Sequence, residues 1–283
     1  MTWALSLPGS RPLKLYGLVK AWLRSYYGRY LLKSPEFERF TKSRGVIVAF
    51  HRVNDDLSDS LTCSESKFRM FCAFFKRHFD VISLHEMIQL LNDKQSIAGK
   101  LVITFDDGYR DNYLNAAPIL KELGLPASFF VTTGFIGNET IAWWDEKYLP
   151  SPAWMSWEEV RKLANDGFDV GAHTVTHADL GTLSEPEIRR EVENSRDALT
   201  SELGGEPVSL FAYPYGGKEN ITESGRRIIQ DAGFQCCLSC FGGTVTAASD
   251  PYSLNRVAIS EWYTHPYQLT VDLLKSVRRD HHN

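Results

Sequence analysis

Along residues 45–262, short apolar runs alternate with segments whose apolar residues recur every three or four positions. The runs VIVAF (46–50), FDVIS (79–83), LVITF (101–105), SFFVT (128–132), FDVGA (168–172), SLFAY (209–213), FQCCLS (234–239) and RVAIS (256–260) predict strands. Between many of them, the spacing predicts helices near 65–77, 84–92, 112–123, 157–166, 185–203, 222–232 and 265–279. Ser156 with Glu159, and Ser184 with Glu187, read as capping boxes that open two of these helices. Gly124, Gly167 and Gly233 each close a helix just before the next strand, where a left-handed residue is wanted. Strand–helix alternation implies a parallel sheet, and nearly continuous apolar strands imply burial on both faces. Seven or eight such units predict an α/β fold, a (β/α)-type barrel rather than an open sheet. Functional residues in such barrels sit at the C-terminal ends of strands. Here those ends carry His51, Asp106-Asp107, His173 and Pro214-Tyr215-Gly216, four sets on one expected rim.

The chain has 283 residues, 43% hydrophobic and 23% charged, values of an ordinary globular protein with a sizeable core. A net charge of −4 gives no reason to expect a nucleic-acid partner, but its distribution is uneven. Residues 1–44 hold nine Lys/Arg against two Glu, a net +7 that leaves −11 on the remainder. A basic, aromatic-rich extension (1–44) is therefore expected ahead of the main domain (45–283). Trp3, Leu15, Tyr16, Trp22, Leu23, Tyr26, Tyr27 and Tyr30 interleave with its cations, the mixture of an interfacial amphipathic segment. Peripheral membrane contact is one expectation for it; an ordinary helix packed on the barrel is the other. Pro8, Arg11, Lys14 and Lys20 interrupt the apolar stretches near Trp3 and Leu15, so no signal-peptide core is expected. Five cysteines (Cys63, Cys72, Cys236, Cys237, Cys240) lack framework spacing and read as buried thiols of a reducing compartment. The expected location is the cytoplasm, peripherally at the inner face of the membrane.

Two short motifs carry the chemistry. In HTVTH (173–177) two histidines four apart can converge on a metal, but no glutamate follows the first, which excludes a zincin helix. TFDDG (104–108) supplies what is missing: one aspartate can bind the ion while its neighbour activates water. A cation would also hold two adjacent carboxylates ionised where they otherwise repel. Gly108 allows a sharp turn after the pair.

TFDDG, HTVTH and FAYPYG (211–216), in this order, resemble the NodB-homology polysaccharide deacetylases, carbohydrate esterase family 4. The similarity spans about 45–262 and includes HRV (51–53), YRDNY (109–113), PASFFVTTGFIG (126–137) and Trp144-Asp145. The resemblance implies a distorted (β/α)7 barrel that removes acetyl groups from N-acetylated sugars with one divalent ion, zinc being expected. It assigns Asp107, His173 and His177 as ligands, Asp106 as base, and the Tyr215 N–H as an oxyanion donor. Two departures follow. Many members carry an arginine where this chain has Ala212, and Arg256 is the candidate substitute for its pairing with the base. No Leu-x-His occurs near the C-terminus, so His51 is the candidate acid, matching members that use an N-terminal histidine; His265 is the reserve. Trp143, Trp144, Trp157 and Trp262 are candidate sugar-stacking residues, Trp144 foremost. The expected function is N-deacetylation of a cell-envelope polysaccharide, oligosaccharide or lipid-linked glycan. The rivals are an amidase or deformylase on a smaller substrate and a catalytically silent sugar-binding domain.

Overall fold

A computed structural model of the protein describes residues 11–240 and 242–280. Trp3, with the rest of residues 1–10, lies outside the described residues, as do the side chains of Leu15 and Tyr16. The strands are β1 (Val46–Phe50), β2 (Arg52–Val53), β3 (Thr62–Cys63), β4 (Asp80–Val81), β5 (Lys100–Phe105), β6 (Ser128–Val131), β7 (Asp169–Ala172), β8 (Leu210–Ala212), β9 (Cys236–Leu238) and β10 (Val257–Ala258). The helices are α1 (Arg11–Leu31), α2 (Pro35–Thr41), α3 (Glu65–His78), α4 (Leu84–Asn92), α5 (Ala117–Leu123), α6 (Trp157–Asn165), α7 (Glu185–Glu202), α8 (Glu223–Asp231) and α9 (Tyr267–Asp280).

All eight predicted runs enter one parallel sheet, ordered β10-β1-β5-β6-β7-β8-β9, with β4 on the edge of β5 that β6 joins further along. Leu254, just before β10, bridges to Leu238 at the end of β9, so the curl nearly closes on itself. The expected barrel-like α/β fold is the one observed. Several strands are shorter than their apolar runs because their ends peel into rim loops: 256–260 pairs only at Val257 and Ala258.

Both faces of the sheet are buried. One face of β1 and β5 carries Val46, Val48, Phe50, Leu101, Ile103 and Phe105 towards the helices. Phe50, Phe105 and Phe129 stack across adjacent strands, with ring centroids 5.6 and 4.7 Å apart, and Phe68 of α3 packs edge-on to the first two. Each such pair adds about 0.5–1.5 kcal/mol beyond its buried area. The other face holds Ile47, Val102, Phe130, Leu210, Ala212 and Leu238, which fill the barrel interior.

The predicted 112–123 helix is α5 preceded by a wide π turn at Asn112–Ala116. Pro118 has no N–H to donate one turn back, and the Ala117 N–H reaches five residues back to the Asn112 carbonyl. The 1–44 segment contributes α1 and α2. Helix α1 lies along α9 through a close approach at Gly28, where any Cβ would fall 1.9 Å from the Tyr267 carbonyl oxygen. Gln268 Nε2 donates to the Ala21 carbonyl at 2.9 Å, and Arg24 pairs with Asp272. No helix of the described residues is long and apolar enough to cross a membrane.

Candidate active site

The rim at the C-terminal ends of β1, β5, β7 and β8 surrounds a cavity of about 380 Å³, lined by His51, Asp106, Asp107, His173, His177 and Tyr215 among others. Alternation along β5 explains the aspartate pair. Phe105 faces the helices, so Asp106 points to the interior, its N–H donating to the Phe50 carbonyl at 3.0 Å. Asp107 then turns left-handed (φ 73°) and Gly108 follows (φ 92°). A Cβ at Gly108 would sit 2.8 Å from Ile136 Cδ1, so the turn requires glycine twice over. Thr174, His177 and Tyr215 are also left-handed, with φ of 64°, 58° and 61°. Strain gathered at one rim in this way marks a site held in shape by its surroundings.

Among the described residues, one group of side chains converges tightly enough to hold a metal: Asp107, His173 and His177, all buried, with ligand atoms within 4.8 Å of one another. Asp107 Oδ1 lies 3.4 Å from His173 Nε2 and 3.3 Å from His177 Nε2, and no hydrogen bond satisfies it. The Ala212 carbonyl lies 2.8 Å from His173 Nδ1, which fixes the tautomer by making Nδ1 the donor and leaves the Nε2 lone pair aimed at the cluster. Burial acts to raise the Asp107 carboxyl, but the two facing imidazoles override it and hold it well below the usual carboxylate range. Two imidazole nitrogens and one carboxylate oxygen, buried and convergent, fit a divalent ion such as zinc.

Asp106 is clamped by Arg256. Both are buried, and the guanidinium donates from Nη1 to Oδ1 at 2.7 Å and from Nη2 to Oδ2 at 2.6 Å. Arg256 is itself fixed by donating from Nε to the Ser239 carbonyl (2.8 Å) and from Nη1 to Thr104 Oγ1 (3.0 Å). Burial acts to raise the Asp106 carboxyl, but the charge and hydrogen bonds of Arg256, together with His173 and His51, more than offset it and keep the group below its ordinary value. The guanidinium therefore arrives just before β10 rather than from Ala212 on β8, and fills the place that the motif leaves empty.

His51 lines the cavity, and its carbonyl accepts from Asn112 Nδ2 at 2.7 Å. Burial pushes its imidazole below the ordinary histidine value, against the pull of Asp107 and Asp106. Tyr215 follows β8; among the described residues nothing accepts its backbone N–H, which stays available. His265 is not in this cavity. Its Nδ1 accepts from the Tyr267 N–H at 3.2 Å, and its ring lies tilted against that of Tyr267 beside α1, as a helix-start residue would. Trp143, Trp144 and Trp262 line the cavity, whereas Trp157 packs on the core. Cys236 and Cys237 are buried; Cys240, half-buried, lines the cavity wall.

Sequence reasoning gave no role to Arg52 and Tyr109. Arg52 is fully buried, pairs with Asp145, and donates to Asp59 Oδ2 at 2.6 Å. Tyr109 Oη donates to Asp145 Oδ2 at 2.6 Å and accepts from Trp144 Nε1 at 2.7 Å. The chain of contacts sets the Trp144 ring 4.6 Å from that of His177. An arginine between a strand end and the apolar Val53 was the available signal.

The general polysaccharide deacetylase family matches residues 93–237, just over half of the chain. The chain belongs to that family, the NodB-homology deacetylases. Among curated relatives, YxkH of Bacillus subtilis is 27% identical over 173 residues, 61% of this chain and 56% of YxkH. The chain thus spans little more than half of that relative's length. The poly-β-1,6-N-acetyl-D-glucosamine N-deacetylase of Staphylococcus aureus is 26% identical over 208 residues, 70% of this chain and 68% of the relative. Among solved structures, the Streptococcus pyogenes deacetylase PplD superposes with a TM-score of 0.69 at 22% identity, covering 81% of this chain and 98% of PplD, and shares its fold.

Proposed function

We propose that this protein is a metal-dependent hydrolase that removes acetyl groups from N-acetylated glycans, releasing acetate and a free amine. One observation carries the reading: the buried Asp107 Oδ1, unsatisfied by the protein, lies between two imidazole Nε2 atoms beside a second, arginine-clamped carboxylate. Asp107, His173 and His177 would hold the ion. When bound, it supplies Lewis acidity that acidifies water and polarises an amide carbonyl.

The remaining chemistry belongs to the chain. Asp106, kept ionised by Arg256, takes a proton from the attacking water as its oxygen joins the acetyl carbon. The Tyr215 N–H donates to the carbonyl oxygen as negative charge develops there; one such donor is worth ~3–4 kcal/mol in comparable sites. Collapse breaks the C–N bond, and His51, entering the step as the imidazolium, passes its proton to the departing amine and is reprotonated as Asp106 gives up the proton it took from water. Trp143, Trp144 and Trp262 offer apolar faces for a pyranose ring. The similarity to the staphylococcal N-deacetylase supports an N-acetylglucosamine polymer as substrate.

Acetate release should be measured across β-1,6-linked N-acetylglucosamine oligomers, chitooligosaccharides, and nucleotide- and polyprenyl-linked N-acetylated sugars. Acetate release from at least one glycan, faster than formate release from small formamides, is expected. Release from none, or faster turnover of small formamides, would move the chain to the silent or deformylase readings.

A further inference from the structure

Among the described residues, helix α1 packs on α9 mainly along one stripe. Ala21, Arg24 and Gly28, spaced as one helical face, lie against α9. The opposite face carries Val19, Trp22, Leu23, Tyr26 and Tyr30, between 48% and 69% exposed. Three rings and two aliphatic side chains facing water on one helix exceed the scattered apolar exposure of an ordinary surface. Grooves run along both flanks: one is lined by Trp22, Tyr26 and Arg29 with His265, the other by Tyr27, Tyr30 and Lys33 with Lys275 of α9. The helix therefore stands out as a ridge, not as part of a packed wall.

The charges beside this stripe are mainly positive. Lys20, Arg29 and Lys33 flank it, among the described residues no carboxylate pairs with any of them, and Glu36 in the second groove pairs with Arg39 at 3.5 Å. Arg24, on the packed stripe, is by contrast neutralised by Asp272. Tryptophan and tyrosine with unpaired cations at their edges match the chemistry of a headgroup layer, where rings sit at the apolar boundary and ammonium and guanidinium groups meet phosphate. A second copy of this chain offers no such match, because two of these faces would oppose cation to cation. We propose that this face of α1 docks on an anionic phospholipid bilayer and lies in the plane of its headgroups.

The test is sedimentation of the full chain with phosphatidylcholine vesicles, with and without phosphatidylglycerol. Wild-type protein should partition onto the anionic vesicles and be released by added salt, since the cations act within a Debye length. Lys20→Glu/Arg29→Glu/Lys33→Glu should weaken partitioning by at least about two orders of magnitude, at about fivefold for each cation lost and more for each carboxylate gained. Trp22→Ser/Leu23→Ser/Tyr26→Ser should abolish it. Neither variant alters Ala21, Arg24 or Gly28 against α9, and Arg29→Glu gives up only a cation–π contact with Tyr267, so both should fold, the charge variant melting slightly below wild type; if the aromatic variant does not fold, the charge variant decides. Three results would overturn the proposal: equal partitioning onto neutral and anionic vesicles, unchanged partitioning of the charge variant, or no vesicle binding. A solution dimer that the aromatic variant dissolves, seen by ultracentrifugation without vesicle binding, would assign the face to a second copy instead.

Discussion

Arg256→Met removes the guanidinium and leaves the Asp106 carboxylate buried without its partner. The pair is made of two charge-assisted hydrogen bonds at 2.7 and 2.6 Å between groups with almost no solvent exposure. Orphaning one member of such a pair costs about 3–5 kcal/mol, far more than losing a surface ion pair. For a domain of this size, a loss of that magnitude lowers Tm by something on the order of 10 °C. The cost comes from the stranded charge, so it should shrink when that charge is removed as well. Asp106→Asn/Arg256→Met should recover at least about half of the lost stability, a coupling of the kind that neighbouring buried groups show. Thermal and urea melts of the wild type, both single variants and the double variant close the cycle. Acetate release by Arg256→Met should fall along with its stability, because the carboxylate loses its orientation. A single variant that melts within about 2 °C of wild type, or a double variant whose losses simply add, would refute the clamp.

Other outcomes follow from the same geometry. Asp106→Asn should keep its metal, measured by elemental analysis, yet lose roughly 10²–10⁴-fold in turnover, the range for a deleted general base. His51→Ala should slow hydrolysis of an acetamide far more than that of an activated acetyl ester, whose leaving group needs little protonation; equal slowing would remove His51 as the acid. On the far side of the barrel, Asp169 hydrogen-bonds to His85 Nδ1 at 2.9 Å and raises its pKa. Because the folded value lies above the unfolded one, this pair stabilises fully below the ordinary histidine value and loses that contribution as pH rises through the raised one. His85→Gln should therefore cost more stability in acid than in alkali, as melts across pH would show.

The legible features were those with local causes. Each strand was a short apolar run, and each rim residue stood directly after one, so the position of Asp106, Asp107, His173 and Tyr215 around one cavity followed from the order of the parallel sheet. Arg256 could be nominated because the resemblance calls for an arginine paired with the base and Ala212 stands in its usual place, though nothing local showed that it reaches across 150 residues to Asp106. The network of Arg52, Asp145 and Tyr109 stayed unassigned for that reason: its partners lie 93 and 36 residues apart, and burial of an arginine cannot be read from its neighbours in sequence. The π turn before α5 hid inside a helical pattern that Pro118 alone interrupts. Trp157 and Trp262 looked alike in sequence, and only packing separates a core ring from one on the cavity wall.

The most direct measurement is acetate release from an N-acetylglucosamine oligomer by protein stripped with a chelator and then titrated with zinc, beside Asp107→Ala treated identically. Stripped wild-type protein should be inactive, activity should return with about one equivalent of ion, as a single three-ligand site requires, and Asp107→Ala should recover nothing. Full acetate release from the stripped protein, or equal recovery in the variant, would contradict the metal site.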